Sequence, residues 1–345
     1  MKSLEVMGMS VTIKQVAEKC GMPAHIVGRV LFDYASFGPE AQEKVLAAAR
    51  ELGYPLDQLP QRHRTHNLGV LFVDESYSGL THPFFATVLN AFKAEVESRG
   101  YDITFINHNM SGESATYLEH CRYRHVDGVC LACVDFYSDE VGELLNSEIP
   151  CVTVDHPTRQ HPCVLSDNRT GVRQLVEYAV SMGHTRIAFI SGQRNSEVTE
   201  ERIRQFKKTM KDNGLPIPEG YFVEGRYGDA EVVRGLVSAL LERPDRPSCI
   251  LLPDDATYFA AQEAIREHEL RIPADISVAG YDGIDLTQSL RPQLTTIKQD
   301  AVGMGREAAL RLIDRLEHPE SFQAEHVTIP VTLVKGGTVG WCNEW

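Results

Sequence analysis

From Asn67 onwards the chain alternates between short apolar runs and longer stretches of helical periodicity, and this alternation constrains the fold more than any other feature. The apolar runs include NLGVLFVD, YDITFINHN, VDGVCLACVD, PCVTVD, RIAFISG, SCILLPDD and DISVAGYD. Strands that alternate with helices over such a length predict parallel sheets with helices on both faces. A unit of this size favours two such layers with a cleft between them, and ligands bind beyond the carboxyl ends of the strands.

The residues before this region predict three short helices. Thr12 is expected to cap the first helix, and Gln15 three residues later completes a capping box. Gly21 provides a turn, and Pro23 suits the first position of a second helix, where its missing N–H needs no partner. Pro39 is expected to open a third helix. Two short helices joined by a glycine turn predict a helix-turn-helix, whose second helix enters the major groove of DNA.

The charge distribution restricts where nucleic acid can bind. The chain has a net charge of −14, but its first 64 residues hold eight basic and seven acidic side chains, a net charge of +1, which leaves −15 for the remainder. Only the N-terminal region is therefore expected to approach phosphates. The segment MKSLEVMGMS lacks the apolar block of a signal peptide, and no apolar run reaches the roughly 20 residues of a membrane span, so we expect a cytoplasmic protein.

Eight cysteines in 345 residues are typical of reduced thiols rather than of a disulfide framework. Cys130 and Cys133 form a C-x-x-C spacing inside a predicted buried strand. Strand positions three apart point to opposite faces, so the two thiolates are not expected to share a metal. The sequence predicts neither a metal site nor a cofactor.

Several motifs, taken together in their order and spacing, resemble the lactose/galactose repressor family of bacterial transcription regulators over nearly the full length. The motifs are VTIKQVAEKCG, GRVL, EKVLAAARELGY, HPFF, VDG, SDNRTG, GHTRIAFISG, DISVAGYDGIDL and PQLTTIKQD. The resemblance implies a homodimer with a small all-α helix-turn-helix domain and a sensor like a periplasmic binding protein, made of two doubly wound parallel-sheet subdomains. We expect a DNA-binding domain at 10–56, a hinge at 57–66 and an effector-binding and dimerisation domain at 67–340. Within the last, an N-subdomain is expected at about 67–163 and 294–323, and a C-subdomain at about 164–293 and 324–340.

The recognition helix departs from the chemistry that the resemblance implies. Family serines and threonines fall here on Pro23, Ile26 and Gly28, which removes hydroxyls that bond phosphates. Ala24 can meet a thymine methyl and His25 a purine edge. Ile26 either contacts a thymine methyl, as Ala24 can, or packs against the third helix. The DNA contacts expected in this domain are Thr12, Ala24, His25 and Arg29.

The hinge YPLDQLPQRHRTH departs further. In the family this segment forms a helix on the operator and inserts a leucine into the minor groove. His63 replaces that leucine, and Pro60 disfavours a helical residue before it. Arg62 and His63 are expected to enter a narrow minor groove. The alternative is a plain flexible linker.

The resemblance also implies an effector cleft. Carboxylates and an arginine bond sugar hydroxyls, and aromatic rings cover the apolar faces of a sugar. Three carboxylates against one arginine disfavour an anionic effector, so a small neutral sugar or glycoside is expected. The ligand residues implied by the match are Phe84, Phe85, Asp155, Arg202, Tyr227, Asp254 and Asp282.

Each of these residues has a structural alternative. Phe84 and Phe85 could be core aromatics, and Arg202 could pair with Glu200 or Glu201 on the surface.

The carboxylates differ among themselves. Asp155 and Asp282 follow apolar strands at family ligand positions, whereas Asp254 stands where relatives often have asparagine, which changes the hydroxyl it can bond. Strand-end carboxylates often cap the next helix, and Asp255 and Asp285 are expected to do so or to stay solvated.

The sequence therefore predicts a ligand-responsive, sequence-specific DNA-binding regulator, and a repressor in particular. Its operator is double-stranded DNA, and effector binding shifts the population between two states. An enzyme is disfavoured, since there is no G-x-G-x-x-G, P-loop, H-E-x-x-H or G-x-S-x-G motif. The remaining alternative is a sensor with weakened operator reading that acts through a protein partner.

Overall fold

The computed structural model describes residues 11–32, 39–56, 64–74, 79–110 and 112–342. A short 3-10 helix spans Gly79–Thr81. The helices are α1 (Ile13–Cys20), α2 (Ala24–Phe32), α3 (Pro39–Leu52), α4 (Pro83–Ser98), α5 (Tyr117–Tyr123), α6 (Asp139–Leu145), α7 (Asn168–Ser181), α8 (Glu197–Asp212), α9 (Ala230–Leu241), α10 (Tyr258–Glu267), α11 (Asp285–Gln288) and α12 (Ala301–Glu317). The strands are β1 (Asn67–Phe72), β2 (Asp102–Phe105), β3 (Asn109–Met110), β4 (Glu113–Ser114), β5 (Gly128–Ala132), β6 (Cys151–Val154), β7 (Cys163–Ser166), β8 (Ile187–Ser191), β9 (Phe222–Glu224), β10 (Cys249–Leu251), β11 (Ser277–Asp282), β12 (Thr295–Gln299), β13 (His326–Ile329) and β14 (Val331–Val334).

The three N-terminal helices form as predicted. The Thr12 hydroxyl accepts the Gln15 amide, and the Gln15 side chain accepts the Thr12 amide at 2.8 Å, so the capping box is confirmed. Gly21 ends α1 with a left-handed φ of 66°. α2 begins at Ala24, one residue after the predicted Pro23. Apolar side chains of all three helices share one small core, which gives this short domain its stability.

The chain enters the sensor through a carboxylate anchor. The backbone amides of Thr65 and His66 donate to Asp127 at 3.1 and 2.8 Å. The Thr65 hydroxyl donates to the His125 carbonyl at 2.6 Å. The residues immediately before β1 are thus bonded to the turn that leads into β5.

Two six-stranded sheets build the sensor. The first has the order β13-β7-β6-β5-β1-β2, and every neighbouring pair is parallel. The second has the order β14-β12-β11-β10-β8-β9, parallel except that β14 runs antiparallel to β12 at the edge. We call the layers around these sheets the first and second subdomains. The predicted α/β architecture is confirmed.

The boundaries between the subdomains differ from those expected at 163/164, 293/294 and 323/324. β7 lies wholly in the first sheet, so the first crossover comes after Ser166. β12 pairs with β11 in the second sheet, whereas the expectation assigned it to the N-subdomain. β13 pairs with β7 in the first sheet, whereas the expectation assigned it to the C-subdomain. An apolar run shows that a strand exists, but distant hydrogen-bond partners decide which sheet it joins.

α12 packs against α4 in the first subdomain, although the two helices are about 200 residues apart in the chain. Gly305 makes this close approach possible, because an added Cβ would overlap the Val88 carbonyl oxygen. Met304, Ala308 and Leu312 line the same buried cluster. Among the described residues, no helix is long and apolar enough to cross a membrane.

The C-x-x-C pair is separated by the end of a strand. Cys130 is buried in β5, where burial raises the pKa of its thiol to about 12. Cys133 lies one residue beyond the strand with a left-handed φ of 54°. The expectation that both cysteines lie in one strand is therefore wrong for Cys133, since β5 ends at Ala132.

Candidate functional site

Polar side chains from both subdomains converge beyond the carboxyl ends of the strands. Asp155 follows β6 in the first sheet, and Asp282 is the last residue of β11 in the second. Arg202 lies on α8 and acts electrostatically on both carboxyls. Loops at the carboxyl ends of parallel strands are where such folds bind ligands. The cleft between the two sheets is therefore the candidate site.

Arg202 is the centre of this cluster and is only 6 % exposed. Its Nε donates to Asn168 Oδ1 at 2.7 Å, and its Nη1 donates to the Pro253 carbonyl at 3.4 Å. Its guanidinium carbon lies 3.7 Å from the centre of the Tyr281 ring and 5.8 Å from that of Tyr227. Burial opposes its charge, but Tyr227, Tyr281, Asp282 and Asp155 hold the pKa of Arg202 above its usual value.

The alternative of a surface ion pair for Arg202 is wrong. Glu200 pairs with Arg194 at 2.7 Å, and Glu201 pairs with Arg169 at 2.7 Å. The neighbouring acids on α8 thus have other partners, and Arg202 points inward.

Two glycines admit the tyrosines that flank Arg202. A Cβ at Gly192 would overlap the Tyr227 ring, and one at Gly171 would overlap the Tyr281 hydroxyl. The Tyr227 hydroxyl also shares a hydrogen bond with the Thr199 hydroxyl at 3.0 Å. The aromatic rings are therefore placed by contacts that leave them little freedom.

Asp155 and Asp282 adopt left-handed backbone conformations, with φ of 61° and 111°. Such backbone is costly for a residue with a Cβ and concentrates at functional sites. The Ser166 amide donates to Asp155 at 3.3 Å, and Gln299 Nε2 donates to Asp282 at 2.7 Å. Burial raises the pKa of Asp155 to about 6, and Arg202 opposes this. Burial also raises the pKa of Asp282 well above its usual range, again against Arg202.

Asp254 lies in the same cleft, but backbone amides already donate hydrogen bonds to both of its carboxylate oxygens. The Gly228 amide donates to one oxygen at 2.6 Å, and the Thr257 amide donates to the other at 2.8 Å. Burial raises the pKa of Asp254, while these bonds and His82 of the first subdomain lower it. Asp254 therefore ties the loop that carries Tyr227 to the start of α10.

Asp255 was expected to cap a helix or to stay solvated, and the structure shows neither. It is fully buried, and the hydroxyls of Thr296 and Thr287 donate to it at 2.6 and 2.8 Å. The amides of Gly283 and Ile284 also donate to it, at 3.0 and 3.1 Å. Burial raises its pKa to about 7 against these bonds. Asp255 thus holds the turn that follows Asp282.

Asp285, the other carboxylate with this pair of expectations, behaves differently from Asp255. It is exposed in the first turn of α11, which agrees with the expectation that it stays solvated.

The paired phenylalanines have separate environments. Phe84 is only 6 % exposed in the core of the first subdomain. Phe85 is half-buried, with ring centres 5.8 Å from Phe72 and 5.1 Å from His82. The His82 Nδ1 accepts the Phe85 amide at 3.4 Å, so a neutral His82 carries its proton on Nε2. Phe85 is therefore the better placed of the two to border the cleft.

Sequence reasoning missed four residues of this cluster: His82, Asn168, Tyr281 and Gln299. Asn168 and Gln299 stand at the crossovers between subdomains, in the motifs SDNRTG and TTIKQD. Asn168 comes two residues after β7 and Gln299 ends β12, and these positions at strand ends were a usable signal. Tyr281 was hidden because it lies inside an apolar run.

The chain is similar to known proteins over nearly its whole length. The model for a periplasmic binding protein-like domain matches residues 176–339. The ribose operon repressor of Escherichia coli is 29 % identical over 336 residues, covering 94 % of this chain and 99 % of that protein. The HTH-type transcriptional repressor PurR of Haemophilus influenzae is 26 % identical over 327 residues, covering 93 % of this chain and 96 % of that protein.

These relatives are repressors, like the members of the lactose/galactose repressor family that the sequence motifs resemble. Solved structures of the family agree with the fold of this chain. The CelR–cellobiose complex has a TM-score of 0.70 at 25 % identity, covering 95 % of this chain and 99 % of that one. The lac repressor dimer bound to operator and the anti-inducer ONPF has a TM-score of 0.67 at 26 % identity, covering 96 % of this chain and 100 % of that one.

The start of α2 carries residues that the sequence predicted to contact DNA. Ala24 and His25 are exposed at the start of α2. Ile26 is half-buried and packs against the small core, which favours the packing alternative over a base contact. The Thr12 side chain is engaged in its capping box. The Arg29 side chain, Arg62, His63 and Pro60 lie outside the described residues.

Proposed function

We propose that this protein is a repressor that binds operator DNA as a homodimer and responds to a small neutral sugar or glycoside in the cleft between its subdomains. The observation that carries the effector class is the charge balance around Arg202. Arg202 interacts with Asp155 and Asp282, and Asp254 acts on Asp282, so an anionic ligand would meet three carboxyl groups and one cation. Hydroxyl groups suit this set, because carboxylates accept and the arginine donates.

Relatives support the sugar assignment. The similar CelR structure is a complex with cellobiose, and the E. coli relative is named for the ribose operon. At the edge of the cleft, the rings of Phe85 and Tyr227 can cover the apolar face of a sugar. The proposed ligand residues are Phe84 or Phe85 together with Asp155, Arg202, Tyr227, Asp254 and Asp282.

The proposed mechanism is a population shift between two arrangements of the subdomains. Asp155 belongs to the first subdomain, while Arg202 and Asp282 belong to the second. A ligand that bonds all three binds the closed arrangement better, and only such a difference in affinity can shift the equilibrium. Closure would change the spacing of the paired helix-turn-helix units and thereby their affinity for DNA.

The same proposal assigns parts of the chain to roles. Residues 10–56 bind DNA through Thr12, Ala24, His25 and Arg29, residues 57–66 form the hinge with Arg62 and His63, and residues 67–340 bind effector and dimerise. The sensor-only alternative is not favoured, because repressors match this chain across 93 to 94 % of its length. These relatives also support a cytoplasmic regulator without catalytic activity.

A selection experiment tests the proposal directly. The full chain is incubated with a random duplex library at one fixed salt concentration, and bound DNA is sequenced. A working repressor should enrich a two-fold symmetric site and bind it about 10³-fold or more tighter than bulk DNA. Neutral sugars are then tested for a change in that affinity. Absence of any enriched site would contradict the repressor, and a response to sugar phosphates alone would contradict the neutral effector.

A further inference from the structure

An aromatic cluster lies beside the proposed effector site and has no role in it. Phe136 and His156 stack with ring centres 4.1 Å apart and planes 4° apart. Tyr137 stands perpendicular to His156, with ring centres 5.7 Å apart. Phe136 and Tyr137 follow β5, and His156 follows β6, so the cluster lies at the carboxyl edge of the first sheet. We call these three residues the aromatic platform.

The platform borders the cleft that holds Arg202. His156 is the residue directly after Asp155, whose carboxyl interacts with Arg202. Glu197, in the first turn of α8, comes from the opposite subdomain. It is near enough to raise the pKa of His156, against the burial that lowers it. The platform therefore lies beside Asp155 at the edge of the cleft, with Glu197 of the second subdomain in its vicinity.

The platform is held in place although its outer ring faces solvent. Tyr137 is 65 % exposed, so its ring is open to a ligand. Its amide donates to Asp135 at 2.9 Å, and the Ser138 hydroxyl donates to the Asp135 carbonyl at 2.9 Å. The Thr153 hydroxyl donates to the His156 carbonyl at 2.6 Å. A ligand that stacked on Tyr137 would thus meet a preorganised loop.

Glu197 adds a polar group to this edge of the cleft. Its carboxylate pairs with Arg204 at 2.6 Å and remains partly exposed. An exposed aromatic ring with a carboxylate in the vicinity suits a sugar ring, which offers an apolar face and hydroxyl donors.

We infer that the aromatic platform is a second sugar subsite, so that the effector has at least two linked rings, with one beside Arg202 and the next on Tyr137. This inference rests on the proposed sugar effector and narrows it to disaccharides or longer glycosides. A single ring at Arg202 would leave the platform in water, whereas a second linked ring would cover it.

Calorimetric titration of the full-length protein with matched sugars tests the inference. The probes are glucose against maltose and cellobiose, galactose against lactose and melibiose, and xylose against xylobiose. We expect one disaccharide to bind about tenfold or more tighter than its own monosaccharide. Tyr137→Ala should remove that advantage without changing monosaccharide affinity, and Tyr137→Phe should keep it because the ring remains.

Tyr123→Ala is the matched control. Tyr123 is 45 % exposed at the end of α5, which leads into the amino end of β5 and so lies at the opposite edge of the sheet. Its removal should leave every affinity unchanged. Equal affinities for a monosaccharide and its disaccharides, or a disaccharide advantage that survives Tyr137→Ala, would overturn the second subsite and leave the sugar effector standing. Failure of all these sugars to bind would overturn both.

Discussion

The guanidinium carbon of Arg202 lies 3.7 Å from the centre of the Tyr281 ring. This contact joins α8 to the end of β11, where Tyr281 directly precedes Asp282. Tyr281 therefore helps to position both the cation and the carboxylate of the cleft. A planar guanidinium can stack on an aromatic ring while its edge keeps donors for bonds. The Asn168 amide oxygen accepts one of these bonds at 2.7 Å, and the same oxygen lies 3.4 Å from the Tyr281 hydroxyl.

Replacing the guanidinium should therefore weaken effector binding while leaving operator binding unchanged. Arg202→Lys keeps the positive charge but loses the flat stack and the Nε donor to Asn168. We expect effector affinity to fall by about 1.5–3 kcal/mol, or roughly 10- to 150-fold, in calorimetry. Arg173→Lys, at an exposed ion pair with Glu177, is the control and should bind as wild type. Unchanged affinity in Arg202→Lys would remove this residue from the site.

The placement of Tyr227 should depend on the absence of a side chain at Gly192. In Gly192→Ala the new methyl overlaps the Tyr227 ring, so the ring must move away from Arg202. We expect effector affinity to fall about tenfold or more, together with a destabilisation of about 1–3 kcal/mol from overpacking. Gly235→Ala in α9 is the control, since its methyl meets no atom within 4 Å. That variant should be neutral or more stable by about 0.5–1 kcal/mol. Equal effects of the two substitutions on effector affinity would contradict the prediction.

The buried carboxyl of Asp255 should make stability fall as pH rises. Burial raises its folded pKa to about 7 from a usual value of 3.8, so the folded state holds this proton more tightly than the unfolded chain. The contribution of this proton to the free energy of unfolding is complete below about pH 4 and is lost as pH rises through 7. Its total is at most about 4 kcal/mol. Denaturant unfolding of wild type and Asp255→Asn from pH 4 to 8 measures it. The wild type should lose stability relative to the variant over this range.

Asp285→Asn is the control for that measurement. Asp285 is exposed, so its removal should leave the pH dependence of the wild type intact. Parallel curves for wild type and Asp255→Asn would show that Asp255 is ionised in the folded protein throughout the range.

The exposed start of α2 should determine base preference. His25→Ala removes a donor and acceptor from the proposed reading surface, and we expect operator affinity to fall by about 1–3 kcal/mol with relaxed preference at one base pair of each half-site. Binding to the selected operator and to its single-base variants measures both effects. His318→Ala, an exposed histidine at the end of α12, should change neither. A uniform loss across all sequences would indicate a phosphate contact instead.

The sequence by itself determined the elements whose signals are local. The capping box of Thr12 and Gln15, the turn at Gly21 and the apolar runs of strands such as β5, β6, β8 and β11 depend on neighbouring residues. The positions of Asp155 and Asp282 at strand ends followed from the same runs, because a parallel sheet brings its carboxyl ends to one edge.

Only the tertiary structure decided the features that depend on distant partners. It assigned β12 to the second sheet and β13 to the first, since hydrogen bonds between strands far apart in the chain select the sheet. It turned Arg202 inward onto Tyr281, although the neighbours of Arg202 in sequence suggested an exposed ion pair. It also buried Asp255 among two threonine hydroxyls and two amides, because a buried carboxylate is stable only where several donors converge, and those donors come from residues 28 to 41 positions away.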